Sequence, residues 1–146
     1  MKTIKKLTIL FLFVSIVFAC SNEDEDDASG CDSCTYSVAS GETVATVPNE
    51  IIGEFDLVLT FSQGGYAFAD GTKGKFTISE KEMKIEIEGQ ECITLKNPTA
   101  SANQLEFTFR DTCRDNLKYS ASISSNGGLN EVNVFTLSGT FYGQFK

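Results

Sequence analysis

From Ile51 to the C-terminus, apolar residues recur at every second position in short runs broken by turn residues, and this period of two constrains the fold most. Successive side chains of a strand point to opposite faces, so the pattern builds sheet with one buried and one solvated side. Phe55, Leu57, Leu59 and Phe61 share a face opposite Glu54, Asp56, Thr60 and Ser62, before Gln63-Gly64-Gly65 turns the chain. Tyr66 and Phe68 begin a second run, Phe76 and Ile78 a third, and Met83, Ile85 and Ile87 alternate with Lys84, Glu86 and Glu88. Gly89-Gln90 is a hairpin turn leading to Ile93 and Leu95, with Cys92, Thr94 and Lys96 facing away.

Asn97 to Ser101 reads as a loop, after which Leu105, Phe107 and Phe109, then Leu117, Tyr119, Ala121 and Ile123, supply two more inner faces. Val132 and Val134 give way to Phe135, Leu137, Phe141 and Phe145 on the opposite parity, which predicts a β-bulge near Val134-Phe135 in one long last strand. Val44, Ala45 and Val47 form a further short strand ended by Pro48. About eight strands joined by hairpin-length loops make an all-β antiparallel meander, and its apolar face must be covered. It curls into a small barrel or half-barrel whose last strand, Phe135 to Phe145, pairs with the first, Ile52 to Phe61; a two-layer β-sandwich is the alternative.

The N-terminus follows other rules. Lys2, Lys5 and Lys6 precede the apolar run Leu7 to Ala19, which has the charge and length of an export signal rather than a membrane span. Val17-Phe18-Ala19-Cys20 resembles a bacterial lipobox, which implies cleavage before Cys20, acylation of that cysteine and attachment to a membrane through its chains. The acidic run Glu23 to Asp27 next to it resembles the surface-export signal of Bacteroidota lipoproteins, which implies an outer-membrane anchor with the domain on the cell surface. The organisation expected is a signal peptide over 1–19, a lipidated cysteine and acidic tether over 20–30, and a single β domain over 31–146.

The formal net charge is −8 even with the leader lysines counted, and Lys73, Lys75, Lys81, Lys84, Lys96, Arg110, Arg114 and Lys118 are spread among acids rather than gathered in a stripe. Nucleic acid is therefore not an expected partner. Cys31, Cys34, Cys92 and Cys113 form an even set in an exported chain and read as two disulfides. The most economical pairing is Cys31 with Cys34, in a flexible leading segment, and Cys92 with Cys113, bracketing a hairpin; cross-pairing would instead staple the tether end onto the sheet. Cys31-Asp32-Ser33-Cys34 has zinc-ligand spacing, but no second CxxC accompanies it, and no βαβ pattern supports a thioredoxin-like role. No metal or cofactor is expected.

The chain has no histidine, which removes the commonest general base and the usual catalytic triads. Glu54 with Asp56, and Glu86 with Glu88, lie two apart on strands at a spacing glycosidases use, yet their alternation with Phe55, Leu57, Ile85 and Ile87 assigns them to the solvent face. Asp70-Gly71-Thr72-Lys73-Gly74-Lys75 has neither calcium-loop nor P-loop spacing and reads as a turn. A phenylalanine-rich inner face, joined by Tyr66 and Tyr119, either fills the core or lines a cavity for a small apolar ligand. The strand pattern and the closing Leu137-Ser138-Gly139-Thr140-Phe141-Tyr142-Gly143-Gln144-Phe145 resemble lipocalin-type meander barrels, with Ile52-Gly53-Glu54-Phe55 standing where that family carries Gly-x-Trp. The expectation is a non-enzymatic binding or structural module with no catalytic residue; a glycan or surface protein is a conceivable partner, and a two-carboxylate glycan hydrolase is the enzymatic alternative.

Overall fold

The computed structural model describes residues 30–146; the leader, Cys20 and the tether up to residue 29 lie outside the described residues. The strands are β1 (Asp32–Thr35), β2 (Gly53–Gln63), β3 (Lys73–Ile78), β4 (Glu82–Ile87), β5 (Ile93–Lys96), β6 (Thr99–Ala100), β7 (Glu106–Asp111), β8 (Leu117–Ile123), β9 (Leu129–Thr136) and β10 (Tyr142–Phe145). They form one 10-stranded sheet in the order β1-β5-β4-β3-β2-β10-β9-β8-β7-β6. Every pairing is antiparallel except β1 with β5. The sheet curls into a half-barrel, and its two meanders meet where β10 pairs with β2.

The curl is forced by connectivity. Only Asn97 and Pro98 separate β5 from β6, although the two strands lie near opposite edges of the sheet, so the edges must approach each other. Asn97 turns this corner in the left-handed region, at φ 64°. No ladder closes the gap among the described residues, and side chains bridge it instead.

The inner face carries the core. Leu59, Phe76, Ile78, Met83, Ile93, Leu95, Phe109, Leu117, Val132, Val134 and Phe145 are all essentially inaccessible, and burying each large side chain stabilises the fold by about 1.5–3 kcal/mol. Phe76, Phe145, Phe68, Phe141 and Tyr66 form a chain of ring contacts, with centroids 5.1 Å apart for Phe76 and Phe145 and 5.1 Å for Tyr66 and Phe141. Glycine makes room for these rings at Gly143, where a Cβ would meet Val134 Cγ1 at 2.9 Å and Leu59 Cδ1 at 3.0 Å.

Tyr66 and Phe68 do not begin a strand: the segment after β2 is a loop that returns to pair Leu59 with Gly71 and Thr72, and it lowers Phe68 into the core. Val44 to Val47 is an extended crossing, not a strand. Its amides donate to Pro98 and Glu80, and Pro48 leads into a 3-10 turn, Asn49–Ile51, that buries Ile51. The parity change after Val134 needs no bulge there, because the Leu137 to Thr140 turn splits the long last strand into β9 and β10. The register instead slips in β2, where Gln144 faces Phe61 and Phe145 faces Leu59, and at the far end of β9, where Ser122 faces Glu131 and Ile123 faces Leu129. The extra residue in β2, Thr60, flips Phe61 to the outer face, where it is 46% exposed against Tyr142. Leu105 precedes β7 and Leu137 lies in a turn, and both are exposed rather than inward.

Candidate functional site

The cysteines pair Cys31–Cys92 and Cys34–Cys113, not Cys31–Cys34 and Cys92–Cys113. The reason lies in β1, which is not a flexible lead-in but a strand. Residues three apart on a strand lie on opposite faces and about 10 Å apart, beyond the reach of one disulfide. The register Asp32↔Ile93 sets Cys31 beside Cys92, with Cα atoms 4.8 Å apart, while Cys34 is buried opposite Leu95. From there it reaches across the open seam to Cys113 in the β7–β8 turn. Asp111 lies within 4.8 Å of the two sulfurs, but as disulfide partners these cysteines are not thiolate ligands for a metal.

Two arginines strengthen the same seam. Arg110 on β7 donates to Tyr36, lies with its guanidinium carbon 4.6 Å from the centre of the Tyr36 ring, and pairs with Glu42 at 2.7 Å. The Tyr36 hydroxyl also donates to Glu42 at 2.8 Å, and this bond is the largest of the effects that hold the Glu42 carboxyl below its ordinary value. Arg114 donates through Nη1 to the carbonyls of Glu91 (3.1 Å) and Cys92 (3.5 Å), and through Nε to Asp111 at 3.5 Å. Asp111 is itself fully buried and accepts from the amides of Cys113 (3.1 Å) and Arg114 (3.0 Å), which shapes the β7–β8 turn.

At this end of the half-barrel, between the β4–β5 and β7–β8 turns, lies a cavity of about 270 Å³ lined by Phe68, Ile85, Ile87, Ile93 and Tyr119, with Gly89, Gln90, Glu91, Arg114 and Asp115 at its rim. Alternation explains the floor: Ile85, Ile87 and Ile93 are the inward positions of β4 and β5, and Tyr119 that of β8. Tyr119 is 3% exposed. Its hydroxyl makes no hydrogen bond to the described residues and is not one of their buried unpartnered atoms, so it keeps some accessible surface. Burial, then the charge of Asp111, pushes that hydroxyl well above the usual tyrosine range. Tyr66 stands beside Asp115, and burial followed by that carboxylate pushes it up to about 12.

A larger depression of about 700 Å³ runs along the seam beside Glu42, Thr99, Thr108 and Arg110. Its walls are mostly polar and its cation is already taken by Glu42. The carboxylates singled out by spacing lie on the outer face: Glu54 pairs with Lys75 at 2.8 Å and Glu86 with Lys84 at 3.5 Å, while Asp56 and Glu88 are exposed. Lys75 draws the Glu54 carboxyl below its ordinary value.

Sequence reasoning placed Tyr119 and the isoleucines inward and raised an apolar cavity on the inner face, but could not locate it at this end, because Phe68 and Arg114 reach it from loops with no periodicity. The chain matches no family model, no curated protein and no solved structure.

Proposed function

We propose that this chain is a lipid-anchored protein of the cell envelope whose β domain is a non-enzymatic binding module, holding a small, apolar-bodied ligand in the cavity between the β4–β5 and β7–β8 turns. The observation that carries the binding role is the apolar-floored cavity itself, lined by the nearly inaccessible Tyr119 side chain, whose hydroxyl has no hydrogen-bond partner among the described residues. A ligand that hydrogen-bonds the Tyr119 hydroxyl while covering Phe68, Ile85, Ile87 and Ile93 gains apolar burial together with a polar contact that fixes its orientation. The anchor rests on Val17-Phe18-Ala19-Cys20, and the surface location on the acidic run Glu23 to Asp27.

A thermal-shift screen of small amphiphiles tests the binding role. A saturable hit should disappear in an Ile87→Trp variant whose indole fills the cavity. Hydrolysis of glycans that is lost in Glu54→Gln or Glu86→Gln would contradict the non-enzymatic reading. For the anchor, Cys20→Ala should abolish acylation and release the protein. Neutralising Glu23 to Asp27 should leave acylation intact but remove protease accessibility on intact cells.

A further inference from the structure

The charges around the cavity narrow what it can hold. Asp115 and Glu91 stand at its rim, on the β7–β8 and β4–β5 sides, against a single lining cation, Arg114, which is itself paired with the buried Asp111. Arg114 is partly engaged: its Nε faces Asp111 and its Nη1 donates to two backbone carbonyls. The rim therefore carries a net negative charge, within a chain that is acidic as a whole. Three aromatic rings stand at this end, Phe68 and Tyr119 on the wall and Tyr66 with its centroid 4.9 Å from that of Phe68. Aromatic faces attract cations, most strongly where water is excluded, and a carboxylate rim disfavours an anionic head group by like-charge repulsion.

We infer that the cavity selects a small organic cation, an ammonium group on an apolar body of about one ring, over neutral and anionic ligands of the same shape. In this arrangement the ammonium lies among Asp115, Glu91 and the Tyr119 hydroxyl oxygen, which accepts from it, and the apolar body rests on Phe68, Ile85, Ile87 and Ile93. A volume of about 270 Å³ admits a single substituted ring and excludes a long acyl chain. This inference rests on the binding role proposed above.

The test is calorimetric titration of the full chain, isolated from its host and held in zwitterionic nanodiscs, with phenethylammonium, phenethyl alcohol and phenylacetate. The expected result is binding of phenethylammonium about tenfold or more tighter than phenethyl alcohol, and no measurable phenylacetate binding. In an Asp115→Asn/Glu91→Gln variant, whose changes are confined to the rim, phenethylammonium should weaken about tenfold while phenethyl alcohol is unchanged. Alcohol or phenylacetate binding as tightly as the cation, or a cation affinity indifferent to the rim variant, would overturn the cation preference and leave the carrier reading standing. Failure of all three probes would overturn both.

Discussion

Replacing either disulfide by alanines, as Cys31→Ala/Cys92→Ala or Cys34→Ala/Cys113→Ala, should cost nearly the same stability, although the bridges differ in sequence separation, 61 against 79. Taken alone, chain-entropy arithmetic assigns about 4.3 and about 4.5 kcal/mol to loops of these lengths. The loops overlap, however. With one bridge intact, the other closes a ring running from Cys31 to Cys34, across a disulfide, and from Cys113 back to Cys92. That ring has about 24 residues whichever bridge is removed, so each single loss should cost about 3.5 kcal/mol. Removing both should cost about 8 kcal/mol, enough to unfold a domain of ordinary stability. Urea unfolding of the oxidised chain reads these values, and non-reducing peptide mapping should recover Cys31 with Cys92 and Cys34 with Cys113. The decisive variant is Cys31→Ala/Cys34→Ala. It breaks both bridges if the pairing is the crossed one, but only a three-residue link if the pairing is local. A cost of only about 2 kcal/mol or less for that variant would refute the reasoning.

Further expectations concern the core, the bulge and the tyrosines. Gly143→Ala should destabilise by about 1–3 kcal/mol in the same urea assay, because its Cβ collides with Val134 and Leu59; a neutral result would mean the inner face is looser than described. Phe61→Thr should change stability by less than about 0.5 kcal/mol, since the Thr60 bulge has already turned this ring to solvent, whereas Phe145→Ala should cost about 3–5 kcal/mol. Tyr66 and Tyr119 have native pKa values raised above the ordinary 10.0. Their neutral forms are therefore favoured by folding, and the stability they contribute is complete below pH 10 and declines as pH rises through the native values. Burial raises Tyr142 as well, so tyrosinate absorbance followed with unfolding should show Tyr66, Tyr119 and Tyr142 ionising late in the native protein, and ordinary ionisation of these three would contradict the burial.

Period-two alternation was enough to place β2, β3, β4, β7 and β8 and to orient Phe76, Met83, Ile85, Phe107 and Phe109, because one buried face imposes its parity on every residue of a strand. The same signal also indicated that the last strand pairs with the first long one, as β10 and β2 do, although that pairing lies in the middle of an open sheet rather than closing a barrel. It failed where tertiary contacts outweigh local pattern. β1 has almost no apolar alternation of its own and exists because β5 offers it a parallel edge and two cysteines fix it there. Phe61 kept the alternation but lost the core to a one-residue bulge, which leaves no mark in the spacing of apolar residues. The cavity depends on Phe68, Arg114 and Asp115 converging from two loops, and no periodicity encodes such a meeting.

The claim that the end of the half-barrel holds a ligand is tested most directly by native mass spectrometry of the protein isolated gently from its host, beside an Ile87→Trp variant prepared in the same way. A small-molecule adduct is expected on the unaltered chain and is expected to be missing from the variant. An unaltered chain free of adduct even when saturated with candidate amphiphiles, or an adduct of equal occupancy in both, would contradict that claim.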